Sequence, residues 1–193
     1  MEELIRNHLT KSSEVKLEVA KHCVDDISRA AILITNSLKN DGKIMLCGNG
    51  GSAADCQHIS AEFASVLSQD FFRPALAAIS LTTDTSFITA NANDYGFEGI
   101  FERQVEALGR KGDSLIGIST SGNSKNVLRA INFAKNRGIH TIALTGITGG
   151  QMADVADVCV RVPSTNTQFI QESHIAIGHI LCELAEKGLF PQQ

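Results

Sequence analysis

The stretch from Lys43 to Glu62, KIMLCGNGGSAADCQHISAE, constrains the fold most, because an apolar run enters a glycine-rich turn and then a polar helix. The run Lys43–Cys47 is short and GNGG follows it at once, which predicts a buried parallel strand that ends in a tight turn. Glycine permits positive φ and close approach of the backbone to a ligand, and the first N–H groups of a helix have no acceptor within it. The stretch therefore predicts a strand–loop–helix crevice that suits an anion or a polar sugar, with Ser52 as the helix N-cap.

Two side chains with metal-binding and acid–base chemistry lie on that polar helix. His58 and Glu62 are four residues apart, so they fall on one helix face about a turn apart. Imidazole and carboxylate are common ligands of divalent transition metals, and the same carboxylate can act as a base. A pair at this spacing is more often an ordinary solvated helix face. Its position just after a glycine-rich turn is what favours a functional site.

Composition narrows the class of protein and its compartment. The chain has 193 residues, 43% of them hydrophobic, which predicts one globular domain with a sizeable core and no second catalytic domain. The net charge is −4 and there is no basic block, so we expect neither a nucleic-acid partner nor binding to an anionic membrane. The amino terminus is acidic and amphipathic, and no apolar run approaches a membrane span. We therefore expect a cytoplasmic protein.

Cysteine usage agrees with a reducing compartment. The cysteines are odd in number and form no C-x-x-C pair, which predicts reduced thiols in the core. Cys47 and Cys56 flank the glycine-rich turn and are the candidates for a nucleophile, but neither has an activating partner near it in sequence. The full set is Cys23, Cys47, Cys56, Cys159 and Cys182.

Strand and helix signals alternate along the rest of the chain. Helical spacing of apolar residues over 1–40 predicts two leading helices, which stop at Asn40-Asp41-Gly42. The alternation that follows predicts a three-layer α/β fold in which a five-stranded parallel sheet is flanked by helices. The predicted strands are 43–47, 75–80, 114–118, 140–145 and 158–163, and the predicted helices are 52–68, 84–92, 97–108, 124–137 and 167–187.

In such a fold, ligands bind at the carboxyl ends of the strands. The loops CGNGGS and STSGNS both leave strands at that edge, and neither matches the dinucleotide pattern G-x-G-x-x-G or the pattern G-x-x-x-x-G-K-[ST]. The second loop carries the hydroxyls of Ser119, Thr120, Ser121 and Ser124 just before a helix. Hydroxyls and free N–H groups make a phosphate cradle, and the alternative is an ordinary serine-rich turn. Their place at the ligand edge favours phosphate.

Three segments together resemble a known family. They are GNGGSAADCQH, ISTSGNS and VPSTNTQFIQESHIAIGHILCE, and the resemblance runs over essentially the whole chain. The serine loop is shared by many phosphosugar-binding members of the sugar isomerase (SIS) domain family, whereas QHISAE and IQESHIAIGH are more specific to its sedoheptulose-7-phosphate isomerases. The resemblance implies a single SIS domain over 1–193 of flavodoxin-like topology, with a helical extension over 1–40 that packs in the oligomer.

The resemblance also implies site residues and an assembly. The glycine-rich turn and a later Asn-Asp pair would contact the sugar, the serine loop would hold the phosphate, and one zinc ion per subunit would lie beside the catalytic pair Glu62 and His179. The assembly implied is a homotetramer with active sites at subunit interfaces. The implied substrate-binding residues are Asn49, Gly50, Gly51, Ser52, Glu62, Asn93, Asp94, Ser119, Thr120, Ser121, Ser124 and Gln171, and the implied zinc ligands are His58, Glu62, Gln171 and His179.

Without the resemblance, several of these residues have simpler interpretations. Asn93 and Asp94, followed by Gly96, indicate a turn. His174 and His179 lie in an apolar helix, where a hydrogen-bonded core histidine is the usual interpretation. Only the joint pattern favours a site.

The reaction that the resemblance implies has clear chemical requirements. An aldose–ketose isomerase moves a proton between C1 and C2 of an open-chain sugar, which needs a base and an electrophile for the developing enediolate oxygen. Glu62 fits the base, His179 fits the acid, and a metal ion fits the electrophile. The implied activity is conversion of sedoheptulose 7-phosphate to D-glycero-D-manno-heptose 7-phosphate, the first step toward ADP-heptose and the lipopolysaccharide core. Two alternatives stay open: a non-catalytic SIS adaptor of the DnaA-binding type, and an isomerase of a shorter phosphosugar such as arabinose 5-phosphate.

Two details of the carboxyl-terminal helix need a structure. Gln168 and Phe169 stand where the family pattern has an arginine, often preceded by an acidic residue, which affects how the sugar is positioned. Gln171 and His179 are eight residues apart, or roughly 12 Å along a continuous helix. We therefore expect either an interruption of the helix between them or a site whose ligands come from different subunits.

Overall fold

A parallel sheet forms the centre of the molecule and brings the two predicted loops together. Within residues 1–68 and 70–191, which the computed structural model describes, five strands pair in the order β2-β1-β3-β4-β5. The central pair aligns Gly48 of β1 with Ile118 of β3, so the glycine-rich turn and the serine loop leave the sheet side by side. The strand order turns back at β1, which makes this edge a topological switch point. The strands are β1 Ile44–Gly48, β2 Ala78–Ser80, β3 Ser114–Ile118, β4 His140–Gly146 and β5 Val158–Val162.

Helices cover both faces of the sheet, as the predicted three-layer fold requires. Along β1, Ile44 and Leu46 join the core beneath α2, α3 and α8, whereas Met45 and Cys47 join the core beneath α5 and α6. This alternation follows from the two-residue period of a strand. The helices are α1 Glu2–His22, α2 Val24–Lys39, α3 Gly51–Ala64, α4 Thr85–Tyr95, α5 Ile100–Leu108, α6 Lys125–Asn136, α7 Met152–Val155 and α8 Thr167–Leu189, with a short 3₁₀ helix at Phe97–Gly99.

The predicted fold class is confirmed, and the boundaries differ in three places. Helix α3 ends at Ala64, not at 68, because the guanidinium of Arg73 donates hydrogen bonds to its last carbonyls. Strand β2 spans only Ala78–Ser80, since it lies at the sheet edge and pairs with β1 over those residues alone. Helix α7, at Met152–Val155, was not among the predicted helices.

The leading helices pack against α8. Val19 of α1 and Ile27 and Ile34 of α2 are buried in the core that includes Ile177 and Leu181 of α8. Within the described residues, no helix combines the length and the apolar character that crossing a membrane would require.

Candidate active site

The glycine-rich turn opens directly onto α8. Gly50, with a φ of 56°, is the residue that precedes α3, so the expectation that Ser52 caps the helix is wrong. Ser52 lies in the first turn and is 3% exposed, which leaves little of it available to a ligand. Gly51 approaches another helix closely: a Cβ there would lie 2.6 Å from Nε2 of Gln171 on α8. Gln171 therefore lies against the start of α3.

A reciprocal amide pair fixes Asn49 in this turn. Nδ2 of Asn49 donates to Oδ1 of Asn126 at 2.9 Å, and Nδ2 of Asn126 donates back to Oδ1 of Asn49 at 2.9 Å. Asn126 is 3% exposed and its Oδ1 also accepts from the Val127 N–H. The glycine-rich turn is thus tied to the helix that follows the serine loop. Asn126 was not among the predicted site residues, although its place just after the serine loop was a signal that it belongs to the site.

His58, Glu62 and His179 come together at the junction of α3 and α8. The Nε2 atoms of His58 and His179 lie 2.8 Å apart, and Oε1 of Glu62 lies 3.6 Å from Nε2 of His58. The two helices pack closely here because residue 178 is glycine: a Cβ on Gly178 would lie 2.5 Å from Cδ1 of Ile59. His179 is exposed, not the core histidine of the simpler interpretation, and the side chain of Glu62 is 19% exposed. A base and a partly exposed histidine pair therefore share one corner.

The donor chemistry of this corner suits zinc, which takes imidazole nitrogen and carboxylate oxygen. The Nε2 atoms of His58 and His179 are too close together to bind one ion. Two nitrogens bound to one tetrahedral ion at about 2.0–2.1 Å would stand roughly 3.3 Å apart. Accordingly, the described residues include no group of three His, Cys, Asp or Glu side chains placed to hold an ion. A separation of 2.8 Å suits a hydrogen bond between the two rings. A small opening of this pair would bring the corner to ligand geometry.

The structure corrects one of the two explanations offered for Gln171 and His179. Helix α8 runs without interruption from Thr167 to Leu189, so the expected break between them does not exist. His58, Glu62 and His179 of one chain already meet, and none of the three needs a second subunit to reach the others.

The serine loop is held by its own hydroxyls and by the neighbouring glycine turn. Ser119 Oγ lies 2.8 Å from Ser124 Oγ and 3.4 Å from Ser121 Oγ. Gly122 has a φ of 65°, and a Cβ there would overlap the Gly149 carbonyl, so the position requires glycine. Ser124 precedes α6, and its side chain caps no N–H group of the first turn. These features fit an anion cradle.

A cavity of about 330 Å³ adjoins this loop. Its walls come from the serine loop, from the turn after β4 and from the segment between β5 and α8. The loop carbonyl of Thr120 accepts from the Gly146 N–H at 3.0 Å, which fixes the spacing of the first two walls. The cavity includes Thr120, Ser121, Asn123, Thr148, Ser164 and Thr167 among its lining residues.

The remaining predicted residues lie apart from this centre. Asn93 and Asp94 form the last turn of α4, not a free turn, where they are exposed and hydrogen-bonded to each other at 2.8 Å. Phe169 is 9% exposed and packs edge-on against His8 of α1, with ring centroids 4.9 Å apart. Where the family pattern has a polar side chain, Phe169 therefore makes an aromatic contact between α8 and α1. Gln168 is exposed in the first turn of α8.

The thiols beside the site are protected from reaction. Burial raises the pKa of Cys47 to about 12, and burial also raises the pKa of Cys56 well above its usual value. Since the thiolate is the nucleophile, neither side chain is an activated one. Burial raises the pKa of Asp55 too, against the opposing effect of nearby His58. The remaining candidates for the chemistry of the site are therefore the histidines, Glu62 and the hydroxyls.

Comparison with known proteins agrees with this arrangement. The model of the SIS domain family matches residues 7–146. The chain is 50% identical over 188 residues to phosphoheptose isomerase 2 of Campylobacter jejuni, covering 96% of this chain and 92% of that protein. It is 54% identical over 167 residues to the phosphoheptose isomerase of Rhodospirillum rubrum, covering 86% of this chain and 88% of that one. The solved structure of a phosphoheptose isomerase from Neisseria gonorrhoeae superposes with a TM-score of 0.90 at 47% identity, covering 96% and 98% of the two chains.

Proposed function

The chain belongs to the SIS domain family and, within it, to the phosphoheptose isomerases, and from this premise we propose that it converts sedoheptulose 7-phosphate to D-glycero-D-manno-heptose 7-phosphate. Its reaction class is phosphosugar isomerisation. We further propose that the reaction takes place in the cytoplasm and begins the synthesis of ADP-heptose for the lipopolysaccharide core.

One observation carries the proposal: α3 begins at the sheet edge of the anion cradle and carries the acid–base corner on its later turns. The pairing of Gly48 with Ile118 places the serine loop next to the glycine-rich turn, and α3 then leads from that turn to His58 and Glu62. A phosphosugar bound by its phosphate at the serine loop would extend toward this corner. An open-chain heptose separates its phosphate from C1 and C2 by several carbons, so a site with two distant functional ends suits it.

Glu62 is the proposed base, and it would move the proton between C1 and C2. Its carboxylate is partly shielded, with a side chain 19% exposed, and lies beside His58 at 3.6 Å. His179 would exchange the proton on a sugar oxygen, because its ring is exposed and meets His58 at 2.8 Å. Asn49, fixed by Asn126, would orient a sugar hydroxyl.

Zinc is the proposed cofactor, one per subunit, held by His58, Glu62 and His179 of one chain and by Gln171, which on the uninterrupted α8 would have to reach the ion from another subunit. When bound, it would supply Lewis-acid stabilisation of the charge that develops on the sugar oxygens. Ligation would lower the basicity of Glu62, so this carboxylate would have to loosen its contact when it accepts a proton.

A homotetramer is the proposed assembly, and an apolar cleft supports it. The cleft between α1, α2 and α8 has a volume of about 440 Å³. Ile180 and Leu184 line it and are 41% and 39% exposed, while Leu9 and Leu17 of α1 are 65% and 59% exposed. Covering these side chains with the equivalent helices of other copies would remove apolar surface from water.

Proton exchange tests the function directly. The protein is incubated in deuterated water with sedoheptulose 7-phosphate, ribulose 5-phosphate and fructose 6-phosphate in turn, and C1 deuteration is followed by NMR. We expect exchange and aldose formation with the seven-carbon sugar alone. Exchange with ribulose 5-phosphate alone would instead identify an isomerase that makes arabinose 5-phosphate. Absence of exchange with every sugar, with and without added zinc, would favour the non-catalytic adaptor.

A further inference from the structure

A deeply buried ion pair lies behind the acid–base corner and has no role in the chemistry described above. Nε of Arg73 donates to Oε1 of Glu186 at 2.7 Å, and the two side chains are 0% and 5% exposed. Removing two charges from water is costly unless their other hydrogen-bonding groups are also satisfied. The remaining partners of Arg73 therefore show what the pair holds in place.

Those partners are three carbonyl groups at the end of α3 and the neighbouring carbonyl of Pro74. Nη2 of Arg73 donates to the carbonyl of Glu62 at 2.8 Å, and Nη1 donates to the carbonyls of Phe63 at 2.9 Å and Ser65 at 3.2 Å. The last carbonyls of a helix have no donor within it, and a cation there also complements the helix dipole. The guanidinium thus closes α3 at the residue proposed as the base.

Glu186 makes this closure a link between the two helices of the site. It lies on α8, seven residues after His179, or about 10 Å along the axis. The first link between α3 and α8 is the contact of His58 and Ile59 with His179 and Gly178. Two links separated by that distance fix the angle between the helices as well as their separation.

We propose that Arg73 is a positioning residue that, through Glu186, holds the Glu62 carboxylate in register with His58 and His179. This inference rests on the proposed function. Lysine cannot replace arginine here, because one ammonium group cannot span the carboxylate and the helix carbonyls that the planar guanidinium reaches together.

The test compares Arg73→Lys with Lys43→Met. Lys43 forms a similar pair, 2.5 Å from Asp113, whose side chain is 2% exposed, but it lies before β1 and its partner lies before β3, so the pair belongs to neither helix of the corner. With both proteins kept well below their melting temperatures, we expect Arg73→Lys to lower kcat roughly tenfold to a hundredfold with little change in KM, as for a small misplacement of a reacting group. We expect Lys43→Met to lower the melting temperature and keep kcat.

Imidazole NMR provides a readout that does not depend on activity. Arg73→Lys should shift the ring signals of His58 and His179 and leave those of His140, at the start of β4, unchanged, whereas Lys43→Met should leave the His58 and His179 signals in place. If both variants lose stability but keep kcat and these two signals, Arg73 only stabilises the fold and the inference is overturned. If the wild-type chain isomerises no sugar, the proposed function fails, and the spectra alone decide: a shift specific to His58 and His179 supports positioning, and its absence overturns it. Should Arg73→Lys not fold, Glu186→Gln gives the same two readouts.

Discussion

The two ends of the candidate site are built in opposite ways. The serine loop is local: Ser119, Ser121 and Ser124 contact one another within a few residues, and Ser119 is only 4% exposed. The acid–base corner is assembled from α3 and α8, and its two histidines are separated by 121 positions in sequence. His58 and His179 are both exposed. The phosphate end is therefore preformed by its own loop, whereas the chemical end depends on how two helices pack.

This difference predicts how each end responds to substitution. A change in the serine loop removes contacts to a group that is bound and not transformed, so its effect should appear in KM. A change in the corner removes a group that acts in the transition state, so its effect should appear in kcat. The predictions below test that division, beginning with the largest expected effect.

Replacing the proposed base should abolish most turnover. Glu62→Gln is nearly isosteric, but an amide cannot accept the C1 proton, so we expect kcat to fall about 10²–10⁴-fold with the fold unchanged. Steady-state kinetics and circular dichroism measure the two quantities. Glu106→Gln, an exposed carboxylate on α5, is the matched control and should keep the wild-type rate. A Glu62→Gln protein with a near-normal kcat would exclude Glu62 as the base.

The difference between a loop formed locally and a corner formed by helix packing also explains how much of the molecule the sequence could predict. The sheet, its helices and the serine loop follow from local pattern: apolar runs, glycine punctuation and hydroxyls before a helix. The corner does not, because the spacing of His58 and Glu62 is common on solvated helices. Nothing local indicates that His179 would lie beside them.

What the sequence could not predict is mostly packing between distant segments. Asn126 reaches the glycine-rich turn only because β1 and β3 are neighbours. Arg73 ends α3 four residues earlier than the predicted boundary at 68 because it bonds to carbonyls that lie before it in the chain. The resemblance named His58, Glu62 and His179 but not the reason that one chain brings them together, which is the close approach of α3 to Gly178.

Removing two hydroxyls should weaken the phosphate end selectively. In Ser121→Ala with Ser124→Ala the loop backbone stays, and each lost hydrogen bond to a charged group is worth about 1.5–3 kcal/mol. Losing two of them corresponds to at least about 3 kcal/mol, so we expect KM to rise roughly 100-fold or more and kcat to change little. Ser86→Ala on the exposed surface of α4 is the control. If the double variant kept its affinity for the phosphosugar, the phosphate would have to bind elsewhere.

His174 of α8 hydrogen-bonds to β4 and should make stability depend on pH. Its Nε2 lies 3.1 Å from the Thr145 carbonyl, next to the turn that adjoins the serine loop, and burial lowers its pKa from 6.5 to about 4. Between those values the unfolded chain binds a proton that the folded chain does not, so stability is full above about pH 6.5 and is lost as pH falls toward 4. We expect a loss of about 2 kcal/mol from pH 7.5 to pH 5 in urea unfolding.

The matched variant is His174→Gln, which can still donate to the Thr145 carbonyl but does not titrate. It should lose less stability than wild type over the same pH interval, whatever its stability at pH 7.5. Equal losses in the two proteins would show that another group causes the pH dependence.

The smallest expected effect is a null result from subunit mixing, and it tests whether the corner belongs to one chain. Glu62→Gln and His179→Ala proteins, each inactive, are mixed, allowed to exchange subunits and assayed. Because His58, Glu62 and His179 of one chain already meet, every chain in a mixed oligomer still carries one defective corner, and we expect no activity beyond the sum of the parents. If a site instead took Glu62 from one subunit and His179 from another, about a quarter of the sites in an equal mixture would regain both.

Mass spectrometry of differently tagged subunits verifies that exchange has occurred. Recovery of activity in verified hybrids would mean that the working corner forms between chains and that the contact of His58 with His179 within one chain is not the catalytic one.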